Sequence, residues 1–212
     1  MSLTAPIPLD TRIELEQGQA RAFTFIADLI SYQVMLFGLA ETPLGETSKS
    51  IFACRTANMD LYVPMWDFAD SPLSGAFPPT FYLFTKAKMP EPEGPSIHGV
   101  QSVSERLNCA IFSVFAERVC DWVRHCYDSD PKNWPPNINF GRVVRNAIVH
   151  GGKIKFTNPA ADPVSWRGLT FSPADNGTVA INAGILSGGD LIVLMLEMEL
   201  ELNALGAPFD IN

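Results

Sequence analysis

Residues 140–152 read FGRVVRNAIVHGG, and this stretch predicts a helix with two chemically different sides. At about 100° per residue, one side carries only apolar residues: Phe140, Val143, Val144, Ala147 and Ile148. The other side carries a single apolar residue, Val149, among four polar ones: Arg142, Arg145, Asn146 and His150. Glycine pairs such as Gly151-Gly152 are typical of helix ends, because glycine adopts the left-handed conformation found there. We therefore predict a helix from about 137 to 150 that buries its apolar side and exposes its polar side.

The polar side of this helix is suited to chemistry on phosphodiesters. A guanidinium binds phosphate oxygens in bidentate geometry, and an imidazole transfers protons near neutral pH. The chain carries a net charge of -8, yet no acidic residue lies between Asp130 and Asp162. Five cations lie in that interval: Lys132, Arg142, Arg145, Lys153 and Lys155. This distribution indicates a local cationic site on an acidic body, which can bind a few phosphates but cannot coat a long duplex.

Hydrophobic periodicity predicts three further helices, over residues 10–40, 99–127 and 190–205. Residues 41–96 are different, because they contain seven prolines within 32 residues together with many aromatic residues. A helix does not tolerate that density of proline. We expect an irregular insertion that packs against the helices, with an exposed loop at 88–95.

After the glycine pair, the hydrophobic period changes from that of a helix to that of a strand. Three segments have the pattern of short strands: 153–156, 164–171 and 178–182. The sequence PADNG at 173–177 predicts a hairpin turn between the last two. The expected fold class is mainly α: a helical bundle with a small β-hairpin or short-sheet appendage at 153–183, in one domain spanning 1–212.

The hexapeptide at 145–150, RNAIVH, resembles the R-N-x-x-x-H motif of the HEPN superfamily (higher eukaryote and prokaryote nucleotide-binding). The GGKIKF, WRGL and DNG sequences that follow it are similar to the β extension of a bacterial and plasmid-borne branch of that superfamily. The resemblance covers residues 99–205. It implies a HEPN-like helical bundle and, in active members, metal-independent cleavage of RNA in a cleft between two protomers.

The resemblance also implies roles for particular residues. His150 would move the proton of the attacking 2′-hydroxyl or of the leaving 5′-oxygen, Arg145 would stabilise the charged phosphorane, and Asn146 would orient the histidine or the phosphate. Transesterification needs a proton acceptor and a proton donor, and a symmetry-related His150 in a homodimer would supply the second group. We add three phosphate-binding or RNA-binding candidates from helix geometry and charge: Arg142, Lys153 and Lys155. Neither a metal nor another cofactor is expected.

Three alternatives to an endoribonuclease remain open. In the first, Arg145 and His150 only complement the C-terminal end of their helix. In the second, the chain is a non-catalytic dimeric module that binds a nucleotide or an antitoxin-type protein partner, in a toxin–antitoxin or defence system. In the third, residues 41–96 form the functional surface.

Two other groups of polar residues are interpreted as surface features. Asp121 and His125 are spaced to share a metal, but a second pair of ligands is missing, so we expect a solvated helix face. Glu197, Glu199 and Glu201 alternate along the last predicted helix, and we expect surface charges there.

The composition predicts a cytoplasmic protein with no membrane contact. Four cysteines among 212 residues include no CxxC pair, which argues against a secreted disulfide scaffold. The first residues lack the basic segment and apolar core of a secretory signal. No uncharged run of 18 residues is present.

Overall fold

The computed structural model describes residues 5–39, 49–69, 74, 76–88, 98–181 and 185–211, and this part of the chain forms a mixed α/β fold. Its helices are α1 (Phe23–Leu39), α2 (His98–Cys126), α3 (Pro136–Val149) and α4 (Gly188–Ala204). One antiparallel sheet contains β1 (Arg12–Glu16), β2 (Lys49–Cys54), β3 (Met59–Pro64) and β4 (Thr80–Ala87). A separate hairpin pairs β5 (Val164–Trp166) with β6 (Leu169–Phe171).

The four-stranded sheet makes the predicted mainly α helical bundle wrong. Its strand order is β1-β4-β3-β2, and every neighbouring pair is antiparallel. Along β4, burial alternates from residue to residue, which directs Phe81 and Leu83 into the core. Prolines stand at strand ends, since Pro64 is the last residue of β3 and Pro79 directly precedes β4. The described parts of 41–96 therefore contain regular strands where an irregular insertion was expected, and Pro64 and Pro79 lie at strand limits.

The helix predicted from residue 10 begins only at Phe23. Residues 12–16 form β1 instead, and Leu15 faces the core opposite Phe81 of β4. A turn with Gly18 at φ 82° separates this strand from α1. The alternation in RIELE favours a strand, and the partner that stabilises it lies almost 70 residues further along the chain.

The predictions for α2, α3 and α4 are confirmed to within about two residues at each end. The β extension differs from its prediction. Residues 164–171 fold back on themselves around Arg167-Gly168, which have φ values of 48° and 82°. Residues 153 and 179 form one isolated bridge. Pro173–Asp175 forms a short 3-10 turn after β6 rather than a hairpin turn. Of the loop predicted at 88–95, only residue 88 is described; the rest of the predicted loop lies outside the described residues.

Helix α4 is buried on nearly all of its sides, so the prediction of surface charges at 197, 199 and 201 is wrong. Glu197, Glu199 and Glu201 are only 1%, 5% and 0% exposed. The sheet covers one side of this helix, with β2 in contact near its N-terminus, and α2 and α3 cover others. Alternate positions of a helix point in different directions, so each of these three carboxylates faces a different neighbour.

Each buried carboxylate of α4 bonds to a different part of the chain. Glu199 forms an ion pair with Arg21 at 2.5 Å and accepts the backbone N–H of Ala22, next to the start of α1. Glu197 accepts hydrogen bonds from the N-terminal segment and from the β5–β6 hairpin. Its donors are the backbone N–H of Ile7, the indole of Trp166 and the guanidinium of Arg167. These bonds satisfy charges that would otherwise be costly to bury.

Candidate functional site

Helix α3 is held in the core by the apolar side that the sequence predicts. Its buried residues include Ile138, Phe140, Val143, Val144 and Ala147. The Phe140 ring stacks on Trp166 and Phe171 of the hairpin, with centroids 5.7 and 5.5 Å away. Gly141 permits the close approach of α4, because a Cβ atom there would lie 2.5 Å from the sulfur of Met198. The opposite side of α3 is thereby presented away from the core.

Glu201 fixes the N-terminal end of α3. Its Oε1 accepts the backbone N–H of Asn137 at 3.2 Å, and its Oε2 accepts that of Ile138 at 3.0 Å. These are N–H groups that a helix leaves without internal partners. Burial raises the pKa of Glu201 to about 7, although the two backbone hydrogen bonds act in the opposite direction.

This raised pKa predicts that Glu201 makes folding depend on pH. Its pKa in the folded state lies above the ordinary value of 4.5, so its contribution to stability is complete below pH 4.5 and is lost as the pH rises through 7. Relative to Glu201→Gln, the wild type should lose roughly 2 kcal/mol of unfolding free energy between pH 5 and pH 8. Urea unfolding at both pH values measures this change. Glu14→Gln, at an exposed position of β1, is the control, and identical pH profiles for wild type and Glu201→Gln would contradict the prediction.

The two arginines of α3 lie half-buried against α2. The Arg145 guanidinium forms an ion pair with Glu117 of α2 and donates a hydrogen bond of 3.2 Å to the side-chain oxygen of Asn146. Arg142 donates from Nε to the side-chain oxygen of Asn139 at 3.0 Å. Burial lowers the pKa of Arg142 from its ordinary value. Both guanidiniums are therefore oriented by neighbours rather than extended into solvent.

His150 lies at the exposed C-terminal end of α3. Its backbone N–H closes the helix on the carbonyls of Asn146 and Ala147, each at 3.1 Å, while the residue itself is exposed. Within the described residues, no hydrogen bond or ion pair involves its imidazole. The preceding residue, Val149, is 61% exposed. The helix thus ends on an accessible imidazole and an uncovered apolar residue.

The glycine pair ends α3 in the way that the sequence predicts. Gly151 and Gly152 have φ values of 70° and 82°, and the N–H of Gly152 bonds to the carbonyl of Ala147 at 2.8 Å. The chain then alternates, with Ile154 and Phe156 buried and Lys153 and Lys155 exposed. Both predicted lysines therefore lie on the surface immediately after the histidine.

Some of the predicted site residues lie together in the structure, and others form no direct bond with them in the described ranges. It joins Arg145 to Asn146 and places His150 in solvent at the next turn of the helix. No direct bond connects Arg142, Lys153 or Lys155 to that group in the described part of the chain. The arrangement therefore combines the oriented guanidinium of Arg145 and amide of Asn146 with an exposed imidazole, that of His150, which can transfer protons at the end of the same helix.

Two neighbours of the site were not predicted. Asn139 precedes Arg142 by three residues, a spacing at which helical side chains meet, so the sequence contained that signal. Glu117 is one of several acidic residues on a long helix, and no local pattern pairs it with Arg145. Trp166, in the WRGL sequence of the β extension, is only 2% exposed and donates its indole N–H to Glu197.

The Asp121 and His125 pair shows the contacts of a helix surface. The Asp121 carboxylate bonds to Arg124 at 2.6 Å, and Nδ1 of His125 lies 2.7 Å from the backbone oxygen of Asp121. The described residues contain no group of three or more histidine, cysteine, aspartate or glutamate side chains arranged to bind a metal ion.

Comparison with known proteins identifies no relative: no protein family, curated protein or solved structure matches this chain. None of the helices in the described ranges is long and apolar enough to span a bilayer.

Proposed function

We propose that this protein is a metal-independent endoribonuclease whose active site combines Arg145, Asn146 and His150 from two copies of the chain. The observation that carries the proposal is the exposed imidazole of His150 at the end of α3, one turn beyond a guanidinium and an amide that already bond to each other. An RNA phosphodiester supplies its own nucleophile, the 2′-hydroxyl, so proton transfer and charge stabilisation are the chemistry that the protein must provide.

The proposed reaction is a transesterification at phosphorus. One His150 accepts the proton of the 2′-hydroxyl as its oxygen attacks the phosphorus, and the His150 of the second copy donates a proton to the departing 5′-oxygen. Arg145 stabilises the charge on the phosphorane, and Asn146 holds that guanidinium in place. The products are a 2′,3′-cyclic phosphate and a free 5′-hydroxyl. Arg142, Lys153 and Lys155 bind flanking phosphates.

One observation supports a homodimer, and another supports a reducing, cytoplasmic location. Val149 is 61% exposed beside His150, and a second copy would cover this apolar side chain while bringing the two histidines together. None of the four cysteines forms a disulfide, as is usual for proteins of a reducing compartment.

The chemistry of the products tests the proposal. Purified protein is incubated with single-stranded and structured RNA in excess EDTA, and the ends of the fragments are identified by mass spectrometry. We expect cleavage that leaves 2′,3′-cyclic phosphates, and no cleavage where a 2′-deoxynucleotide replaces the attacking residue. A strict requirement for a divalent metal, or the absence of cleavage across the RNA panel, would contradict the proposal.

A second candidate function is favoured by the ion pair between Arg145 and Glu117. An arginine that is already paired is suited to holding an anionic ligand in exchange for its partner, without any reaction. In this case the chain is the non-catalytic nucleotide-binding or antitoxin-binding module of a toxin–antitoxin or defence system.

The two candidate functions differ in their response to substitution. For the binding module, Arg145→Ala should weaken binding of a nucleoside monophosphate by about tenfold or more, because a charge-assisted hydrogen bond is lost. His150→Ala should bind with unchanged affinity. Titration calorimetry on the two variants and the wild type gives the comparison, and equal losses from both substitutions would count against a separate binding function.

A further inference from the structure

A cleft lies at the opposite end of α3 from His150. It has a volume of about 390 Å³ and is bounded by the loop between α2 and α3, the first turn of α3 and the start of β5. This volume is within the range of sites that bind small organic ligands. The backbone N–H groups at the start of α3 are occupied by Glu201, so the binding capacity of the cleft comes from its side chains and from β5.

The cleft has one open aromatic wall. Tyr127 lines it and is 50% exposed, whereas Trp134, which also lines it, is 4% exposed. The indole N–H of Trp134 donates to the backbone oxygen of Asp128 at 2.7 Å, which fixes that ring in the wall. Tyr127 therefore offers a ring surface on which another planar group can stack.

The cleft is also lined by residues with hydrogen-bonding groups suited to the edge of a base. The side-chain oxygen of Asn139 accepts a hydrogen bond from Arg142. The NH₂ group of Asn139 therefore points in another direction and can donate to a different partner. In the hairpin, Trp166 and Leu169 flank a two-residue turn, so the neighbouring Ser165 directs its backbone N–H and C=O away from β6. Ser165 lines the cleft, and its backbone groups have no other backbone partner within the described residues. The backbone N–H and C=O of Ser165 place a donor beside an acceptor, which matches the neighbouring acceptor and donor groups on the edge of a nucleobase.

A row of polar and cationic residues on α3 connects this cleft to His150. Asn139, Arg142, Asn146 and His150 follow one another at steps of three or four residues, and therefore lie along one side of the helix. From Asn139 to His150 the distance along the axis is about 16 Å, which a few nucleotides span. Lys132 stands at the rim of the cleft and shares its charge with Asp130 at 3.0 Å.

We propose that this cleft is a binding site for one unstacked nucleobase of single-stranded RNA, with the base stacked on Tyr127 and its edge bonded to Asn139 and Ser165. The phosphate of that nucleotide lies toward Arg142. The inference rests on the proposed function for its substrate, because the strand that enters the cleft is the one that continues to His150. Recognition by stacking and edge contacts is typical of proteins that bind single-stranded RNA.

The test measures binding separately from cleavage. In a His150→Ala background, the affinity for a fluorescein-labelled single-stranded RNA hexamer is determined by fluorescence anisotropy. Adding Tyr127→Ala should weaken binding by about tenfold, and Tyr127→Phe should restore it to within twofold, since the ring is retained. Trp66→Ala removes another exposed aromatic residue, 47% exposed and distant in sequence, and should leave the affinity unchanged.

The outcomes separate this site from the proposed function. If the hexamer binds with the predicted dependence on Tyr127 but the wild type cleaves no RNA, the cleft is supported and the nuclease is not. If the wild type cleaves and Tyr127→Ala binds as tightly as its parent, the cleft is refuted and the nuclease stands. Equal loss with Trp66→Ala, or no binding of the hexamer at all, would also overturn the inference.

Discussion

Replacing His150 with alanine should lower the rate of RNA cleavage by about 10²- to 10⁴-fold, the range over which general acid–base catalysis acts. In the proposed dimer the substitution removes the proton acceptor and the proton donor together. Their losses do not add, because each group is useless without the other. The fold should be unaffected, since His150 is exposed and its backbone N–H, rather than its imidazole, closes the helix. Single-turnover cleavage in EDTA measures the effect.

His125→Ala is the matched control for this experiment. His125 is also an exposed histidine near a helix C-terminus, and its ring contacts the backbone oxygen of Asp121. Its loss should change the cleavage rate by less than about twofold, as expected of a surface residue outside the site. Cleavage by His150→Ala at the rate of the wild type would show that the activity, if present, does not depend on this imidazole.

Removal of the Glu197 carboxylate should strongly destabilise the fold. Glu197→Ala leaves the Arg167 guanidinium, whose side chain is 12% exposed, without its counter-ion. It also leaves the indole N–H of Trp166 and the backbone N–H of Ile7 without their acceptor. Breaking a buried ion pair in this way costs about 3 to 5 kcal/mol of unfolding free energy. Urea unfolding followed by circular dichroism measures the loss.

A double variant distinguishes the cost of an unpaired charge from the value of the ion pair itself. Glu197→Met combined with Arg167→Met removes both charges, so it should be more stable than Glu197→Met alone. Glu14→Ala, at an exposed position of β1, should change stability by less than about 0.5 kcal/mol. If the losses of unfolding free energy in Glu197→Met and Arg167→Met simply add in the double variant, the two residues act independently and the prediction is wrong.

The candidate site was more predictable from the sequence than the fold around it. The periodicity of 137–150 is a local property, and it correctly separates the buried Val144 and Ala147 from the exposed His150. The pairing of Arg145 with Glu117 joins residues 28 positions apart on two helices, and either residue alone is compatible with an ordinary surface position. A helical pattern therefore identifies which residues share a side, but not which neighbour orients them.

Local patterns determined the extents of α2, α3 and α4 and the glycine-terminated end of the helix that carries His150, because helical hydrogen bonds and caps connect residues only three or four positions apart. The strands at 12–16 and 80–87, and the burial of Glu197, Glu199 and Glu201, were decided only by the tertiary structure. A strand requires a partner that is distant along the chain, and a charged residue becomes a core residue only when other elements supply its hydrogen bonds. Those interactions form between elements, so no local stretch of the sequence specifies them.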